Sequence, residues 1–267
     1  EARLDRAVSV RRAYLDALCG HRDAARTLLD SRVEEKGDPD HAALWENVLT
    51  GAALMEVGES ARAETLLEAT RKLFERSRQP SGSLQCSLLL IEASLRARNP
   101  GRAREGLDVA AKTIQLHDTG VGSRRAAALV PYLEARAALQ AGRSPADFIS
   151  ERLEKASRNL EEGSFPEMAW LLALVAVENG EPGAARKLRA ARLKFVMGLT
   201  PEDRKRYLAR DHRVRLGLAP PGAGEGSRAA TGNLQMRRYE TLLRLKQLKD
   251  PRVMLFTLMH AAGAEHG

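Results

Sequence analysis

The sequence predicts an all-α protein built as a solenoid of about five stacked helix pairs. One turn pattern, in which a helix ends and another begins a few residues later, recurs at Gly20, Gly58, Asn99, Gly142 and Gly180. These turn markers lie 38 to 43 residues apart, and a period of about 20–50 residues is typical of solenoids. Hydrophobic residues make up 43% of the chain but aromatic residues only 4%. The core must therefore be built from closely packed Leu, Ala and Val side chains.

The residues around each marker favour close packing of the two helices. Glycine and asparagine tolerate the left-handed conformation that ends a helix. Small residues lie about seven positions before each marker and four or five positions after it, and a leucine usually follows in the second helix. The small residues before the markers are Ala13, Gly51, Ala93, Ala135 and Ala173, those after them are Ala25, Ala63, Ala103, Ala146 and Ala185, and the leucines are Leu29, Leu67, Leu107 and Leu188.

This arrangement resembles the tetratricopeptide repeat, in which small residues serve the same packing. The resemblance covers residues 2–197, although the period here exceeds the family's usual ~34 residues and aliphatic residues fill most of the family's aromatic positions. It implies a right-handed solenoid that binds a protein or peptide on its concave face. Longer copies of this kind are similar to the helical-repeat segments of bacterial signalling proteins, including LuxR-type activators, repeat-bearing kinases and enhancer-binding regulators.

The boundaries between the pairs carry their own signals. Turn-forming residues cluster at "GDPD", "QPSG", "HDTGVGS" and "GSFP". Asp38 or Asp40 is expected to cap the helix that carries Trp45, and Ser60 the next helix. Pro131 lies inside a helix predicted over 122–141, which it should kink or divide.

The chain changes character after the repeats. Thr200 and Pro201 predict the start of a closing helix over 201–215, so the repeat domain spans 1–216. Residues 217–233 hold five glycines and two prolines, which indicates a flexible linker. Residues 234–267 form the predicted C-terminal helical segment.

The C-terminal segment carries an unusually apolar stretch, "VMLFTLM". A helix that is apolar all round must be buried, so we expect it to mediate a homodimer or to dock a following domain. Its continuation, "HAAGAEHG", resembles the end of the first helix of GAF-type sensor domains, which implies a following sensor domain. A terminal helix packed on the repeats is the alternative. The predicted docking residues are Val253, Leu255, Phe256, Leu258 and Met259.

The net charge of +8 is concentrated in one region of the chain. Residues 184–215 contain eleven lysines and arginines and three acids, whereas acids and bases balance in the remainder. This patch either attracts nucleic acid or an acidic protein or is a solvated helix surface. The candidate patch residues are Arg186, Lys187, Arg189, Arg192, Lys194, Arg204, Lys205 and Arg206.

The sequence predicts binding rather than catalysis. It lacks the nucleotide-binding, hydrolase and kinase motifs and the paired histidines or cysteines of metal sites, so we expect no enzyme activity, no cofactor and no metal. It also lacks the ~18-residue apolar run of a membrane span, and the two cysteines indicate reduced thiols in the cytoplasm. We expect a non-catalytic module that binds a protein or peptide within a larger regulatory protein; the alternative is a nucleic-acid-binding adaptor. The candidate groove residues are Arg12, Trp45, Asn47, Gln85, Glu92 and Arg125.

Overall fold

The computed structural model describes residues 2–31, 40–116, 121–142, 144–160 and 166–219. The chain divides into two units, Glu1–Ala219 and Pro220–Gly267. Only the first unit contains described residues, so the predicted linker beyond Ala219 and the predicted C-terminal segment lie outside the description. The side chains of residues 2–6, 115–116, 121–125 and 166 are outside it as well.

The described residues form twelve helices and no strand, which confirms the all-α prediction. The helices are α1 (Ala2–Cys19), α2 (Arg22–Asp30), α3 (His41–Val57), α4 (Ser60–Arg76), α5 (Pro80–Arg96), α6 (Pro100–Leu116), α7 (Val121–Ala141), α8 (Ala146–Asn159), α9 (Pro166–Glu178), α10 (Ala184–Val196), α11 (Pro201–Ala209) and α12 (His212–Arg215).

The first ten helices pack as five consecutive pairs, from α1 with α2 to α9 with α10. The first helices of the pairs also contact one another in order, α1 with α3, α3 with α5, α5 with α7 and α7 with α9. Each pair therefore meets its neighbours along the chain, and α1, α3, α5, α7 and α9 share a common side of the molecule.

Four of the five predicted turn markers have the expected left-handed backbone. Gly20, Gly58, Gly142 and Gly180 all have positive φ, between +62° and +93°. In the third pair the left-handed residue is Arg98, with φ of +57°, one position before the predicted marker. Asn99 instead accepts a hydrogen bond from the backbone N–H of Arg102 at the start of α6, so the two roles are divided between neighbouring residues.

The small residues beside the turns allow close helix packing. A Cβ atom added to Gly51 would lie 2.7 Å from two atoms of Leu67 on α4. Ala13, Ala93 and Ala135 are completely buried. Burial of the small residue after the turn is not seen in the last two pairs, where Ala146 and Ala185 are exposed. In the fifth pair the neighbouring Ala184 is buried instead.

Several predicted helix boundaries are also observed. Asp40 accepts a hydrogen bond from the N–H of Ala43 and caps α3, and Thr200 caps α11 with Pro201 in its first turn. Ser60 is the first residue of α4 rather than its cap, which is Glu59. Helix α7 runs through Pro131 without division.

Candidate binding face

Residues 200–219 follow the last helix pair and pack against the first helices of the pairs. We call these residues the docked segment and the side of α1, α3, α5, α7 and α9 that they contact the first-helix face. The single closing helix expected over 201–215 is broken in two, because Arg210 has an extended backbone and Asp211 caps α12 through the N–H groups of Arg213 and Val214. Arg210 lies at this break.

The docked segment meets α1 at the carboxyl end of that helix. Arg210 Nη1 donates to the carbonyl oxygens of Ala17 at 3.1 Å and Leu18 at 2.5 Å. These carbonyls belong to the last turn of the helix, where the negative end of the helix dipole favours a cation. The His21 Nε2 atom lies 3.0 Å from Asp203 Oδ1, which adds a second polar contact between α11 and the first pair.

The carboxylate of Glu56, at the end of α3, binds three arginines. Its side chain is only 4% exposed. Arg96 Nη2 donates to it at 2.6 Å, Arg210 Nη2 at 2.8 Å, and Arg215 at 3.0 to 3.2 Å through Nε and Nη2. Burial alone would raise the pKa of Glu56, but Arg215, Arg96 and Arg210 hold it well below its ordinary value. Two of these arginines come from the docked segment, so Glu56 joins α3, α5 and that segment.

The Arg215 guanidinium that binds Glu56 on α3 also bonds to α9. Its Nη1 atom donates to Glu167 at 3.0 Å and to the Tyr207 hydroxyl at 3.3 Å. The Tyr207 hydroxyl in turn donates to Glu167 at 2.7 Å. All three nitrogens of Arg215 are therefore engaged with groups on the first-helix face or within the docked segment.

A second set of contacts holds the docked segment on α5 and α7. Glu92 accepts from Arg96 Nε at 2.9 Å and from Arg136 Nη1. Burial would raise the pKa of Glu92, yet Arg136 and Arg96 lower it to about 2. Arg136 is completely buried, and its Nη2 atom donates to the carbonyl oxygen of Leu216. Arg136 on α7 thus links the carboxylate of Glu92 on α5 to the main chain of the docked segment.

The end of α12 approaches the main chain of α5 directly. Gly217 has φ of +68°, and a Cβ atom there would lie 2.1 Å from the Leu95 carbonyl oxygen. Gln140 Nε2 donates to Leu95 O at 2.8 Å and to Gly217 O at 3.0 Å. A glycine is required at this position because both the conformation and the space exclude a side chain.

Aromatic packing fixes the other side of the docked segment. Trp170 on α9 is 3% exposed, and its ring centroid lies 5.1 Å from that of Tyr207, 4.6 Å from that of His212 and 5.8 Å from that of Phe195. His212 Nε2 donates to the Tyr207 carbonyl oxygen at 2.8 Å. Burial and the nearby Arg215 lower the pKa of His212 to about 3, so this imidazole is neutral at physiological pH.

A cavity of about 270 Å³ lies between the first-helix face and the docked segment. Its walls come from all five first helices, from Phe195 and from Arg215 and Leu216 of the docked segment. Apolar and aromatic side chains, chiefly leucines and methionines, provide most of the wall, and Gln85, Glu92 and Glu167 contribute polar atoms. The docked segment therefore does not fill the face that it covers.

The predicted groove residues are dispersed. Gln85 and Glu92 line the cavity. Arg12 is 75% exposed and pairs with Asp16 at 3.8 Å. Trp45 packs on Phe74 with ring centroids 5.4 Å apart and donates from Nε1 to His41. Asn47 is half-buried on α3, and the side chain of Arg125 lies outside the description.

The predicted basic patch separates into an outer and an inner part. Arg186, Lys187, Arg189 and Lys194 are exposed on α10, and Lys205 and Arg206 are exposed on α11, whereas Arg192 is half-buried. Arg204 turns inward and donates to the carbonyls of Val196 and Leu199 at the end of α10. Arg213 pairs with Glu178 at 2.6 Å. Arg204, Arg210, Arg213 and Arg215 thus bond to carboxylates or carbonyls within the protein, whereas six of the eight predicted patch residues are exposed.

The predicted C-terminal docking residues Val253, Leu255, Phe256, Leu258 and Met259 lie outside the described residues. Other residues of the face were not among the predicted site residues, namely Glu56, Glu167, Arg136, Arg210 and Arg215. The available signal was a charge flanked by apolar residues, as for Glu56 in "AALMEV" and Arg136 in "ARAAL". Such a charge must be paired when it is buried.

No family model, curated protein or solved structure matches the chain. None of the described helices has both the length and the apolar character that crossing a membrane requires. The described side chains also bring together no group of three or more His, Cys, Asp or Glu residues that could hold a metal ion. What the described residues do bring together is a face of buried carboxylates and apolar side chains that holds residues 200–219 of the same chain.

Proposed function

We propose that the chain is a non-catalytic interaction module, a tetratricopeptide-like solenoid that binds a protein or peptide segment on its first-helix face within a larger regulatory protein. One observation carries the proposal. A continuous stretch of polypeptide, residues 200–219, is bound on this face by α1, α3, α5, α7 and α9 through arginine–carboxylate pairs, hydrogen bonds to main-chain carbonyls and aromatic contacts.

The protonation states of the face favour binding over catalysis. An effective general base has a pKa near the operating pH. Glu56 and Glu92 have pKa values far below that range because arginines surround them, and the pKa of His212 is lowered to about 3. These groups hold fixed charges or a fixed neutral state, which suits recognition of a charged segment.

Selection of peptides on the intact chain tests the proposal. Peptides from a random library should bind, and Gln85→Trp should weaken their binding at least tenfold because the larger side chain fills the cavity. The matched control is Val109→Trp, a substitution at a 55% exposed residue on the second helix α6, which should leave binding unchanged. Failure to select any peptide, or peptides equally insensitive to both substitutions, would contradict binding at this face.

A second candidate function is a nucleic-acid-binding adaptor. It is favoured by the outer surface of α10, which exposes Arg186, Lys187, Arg189 and Lys194 and carries no acidic residue. We expect reversal of these four residues to Glu to abolish binding of duplex DNA, with a strong salt dependence in the parent chain. DNA binding that survives the reversal, or an acidic peptide that binds there while DNA does not compete, would remove this candidate.

A further inference from the structure

The docked segment supplies the positive charges that the first-helix face needs. Without it, the face would carry the carboxylates of Glu56, Glu92, Glu167 and Glu178 against the guanidinium groups of Arg96 and Arg136. Glu167 and Glu178 would lose the arginine pairs described above, and Glu56 would keep only Arg96. The complement of this face is therefore a cationic segment.

The geometry specifies arginine rather than lysine. Arg215 spans Glu56 on α3 and Glu167 on α9 with its three nitrogens. Arg210 similarly joins Glu56 to two carbonyls at the end of α1. A planar guanidinium donates in several fixed directions at once, whereas the lysine ammonium is a compact point charge. A replacement segment must place two guanidiniums at the same spacing.

Besides the packing of Tyr207 and His212 on Trp170, the docked segment is held by polar bonds that another segment could reproduce. Most of them join arginine side chains to carboxylates or carbonyls, and the cavity beside Arg215 leaves part of the face unfilled. The segment is joined to the repeats through residues 197–199, so a free ligand for the face would have to compete with a tethered one, whose effective concentration is high.

Resting on the proposed function, we propose that the first-helix face recognises a partner-protein segment with two arginines spaced as Arg210 and Arg215. Residues 200–219 then act as an internal competitor, which occupies the face until the partner segment displaces it.

A fluorescent synthetic peptide of residues 200–219 tests this on the intact chain by anisotropy. We expect saturable binding, at least tenfold weaker for a peptide carrying Arg210→Lys and Arg215→Lys, and unchanged for a peptide carrying Arg206→Lys. Arg206 is a matched control because it is exposed and pairs only with Glu202 on its own helix among the contacts described for it. Placing Arg215→Lys in the chain itself should weaken the internal competitor and tighten binding of the parent peptide at least tenfold, whereas Arg206→Lys in the chain should not.

The outcomes separate the two proposals. If library peptides bind at the cavity but the 200–219 peptide binds neither the parent nor the Arg215→Lys chain, the docked segment is a fixed part of the fold and displacement is wrong. Equal binding of the arginine and lysine peptides would overturn the arginine requirement. Exchange of the docked segment between copies, seen as a dimer of the intact chain by sedimentation, would assign the face to a second copy instead.

Discussion

Three guanidinium groups share the carboxylate of Glu56, and the cost of removing that one charge should be large. Glu56→Gln keeps the shape of the side chain but leaves Arg96, Arg210 and Arg215 without their common anion. Breaking a buried ion pair from one side typically costs about 3–5 kcal/mol. We expect a loss of that order in the free energy of unfolding, measured by urea denaturation.

Glu154→Gln is the matched control for this substitution. Glu154 pairs with Arg158 at 3.8 Å, and both side chains are 69% exposed. Exposed pairs of this kind contribute little because water screens them, so the control should change stability by less than about 0.5 kcal/mol. A loss at Glu56 no larger than this would show that the buried network does not stabilise the fold.

His212 should make the protein sensitive to mild acid. Its pKa is lowered to about 3 in the folded protein, whereas an unfolded histidine titrates near about 6.5. The unfolded state therefore binds the proton first, so stability is complete above pH ~6.5 and falls as the pH drops towards 3. From pH 7 to pH 5 this one group should remove about 2 kcal/mol.

The slope of stability against pH isolates this effect. His212→Gln removes the titrating group, so the loss between pH 7 and 5 should shrink by about that amount, whatever the substitution does to stability at pH 7. An unchanged slope would assign the acid sensitivity to other groups. Glu92 has a pKa of about 2, so the stability that it provides is present above the ordinary glutamate pKa near about 4. That stability is lost only as the pH falls below about 4, and Glu92 therefore does not affect the slope between pH 7 and 5.

At the level of the helices, close packing decides where glycine is required. In α5 a Cβ atom on Gly82 would lie 2.3 Å from the ring of Phe74, which is itself completely buried. Alanine is the better helix former by up to about 1 kcal/mol, but overpacking a core costs about 1–3 kcal/mol. We expect Gly82→Ala to lower the midpoint of thermal unfolding.

Gly101→Ala provides the opposite case in the first turn of α6. The nearest atom to a Cβ there is Asn99 Oδ1 at 3.7 Å, an ordinary contact, so only the gain in helix propensity remains. This substitution should leave the unfolding midpoint unchanged or raise it. If Gly82→Ala also raised it, the α4–α5 contact would be looser than the structure indicates.

The helix pairs were predictable from sequence because their signals are local. Gly58 ends a helix, Thr200 begins one, and Ala13 packs beside a turn, and each of these roles is decided by residues within a few positions. The candidate site was less accessible. Glu56 and Arg210 are separated by 154 positions, and an arginine on a helix has the same local pattern whether it faces water or a distant carboxylate. The predicted basic patch therefore included Arg204, which turns inward, and omitted Arg215.

At the scale of the whole molecule, the docked segment connects pairs that do not otherwise meet. Stacked pairs contact only their neighbours, so the cooperativity of such an array depends on nearest-neighbour interfaces. Arg210 adds a link from the docked segment to α1 and α3, while Tyr207 and His212 pack on Trp170 in α9. The first and fifth pairs are thus joined through residues 200–219.

The two tryptophans of the chain report separately on the second and fifth helix pairs. Trp45 lies in α3 against Phe74, and Trp170 lies in α9 against the docked segment. Trp45→Phe and Trp170→Phe each leave a single tryptophan. The urea midpoints measured by fluorescence in these two variants should be equal, because the docked segment makes the helix pairs unfold together. Adding Arg210→Ala removes the link to α1 and α3. The Trp170 midpoint should then fall below the Trp45 midpoint, whereas Arg206→Ala should leave the two coincident. Midpoints that still coincide after Arg210→Ala would mean that the pair-to-pair contacts alone make the array cooperative.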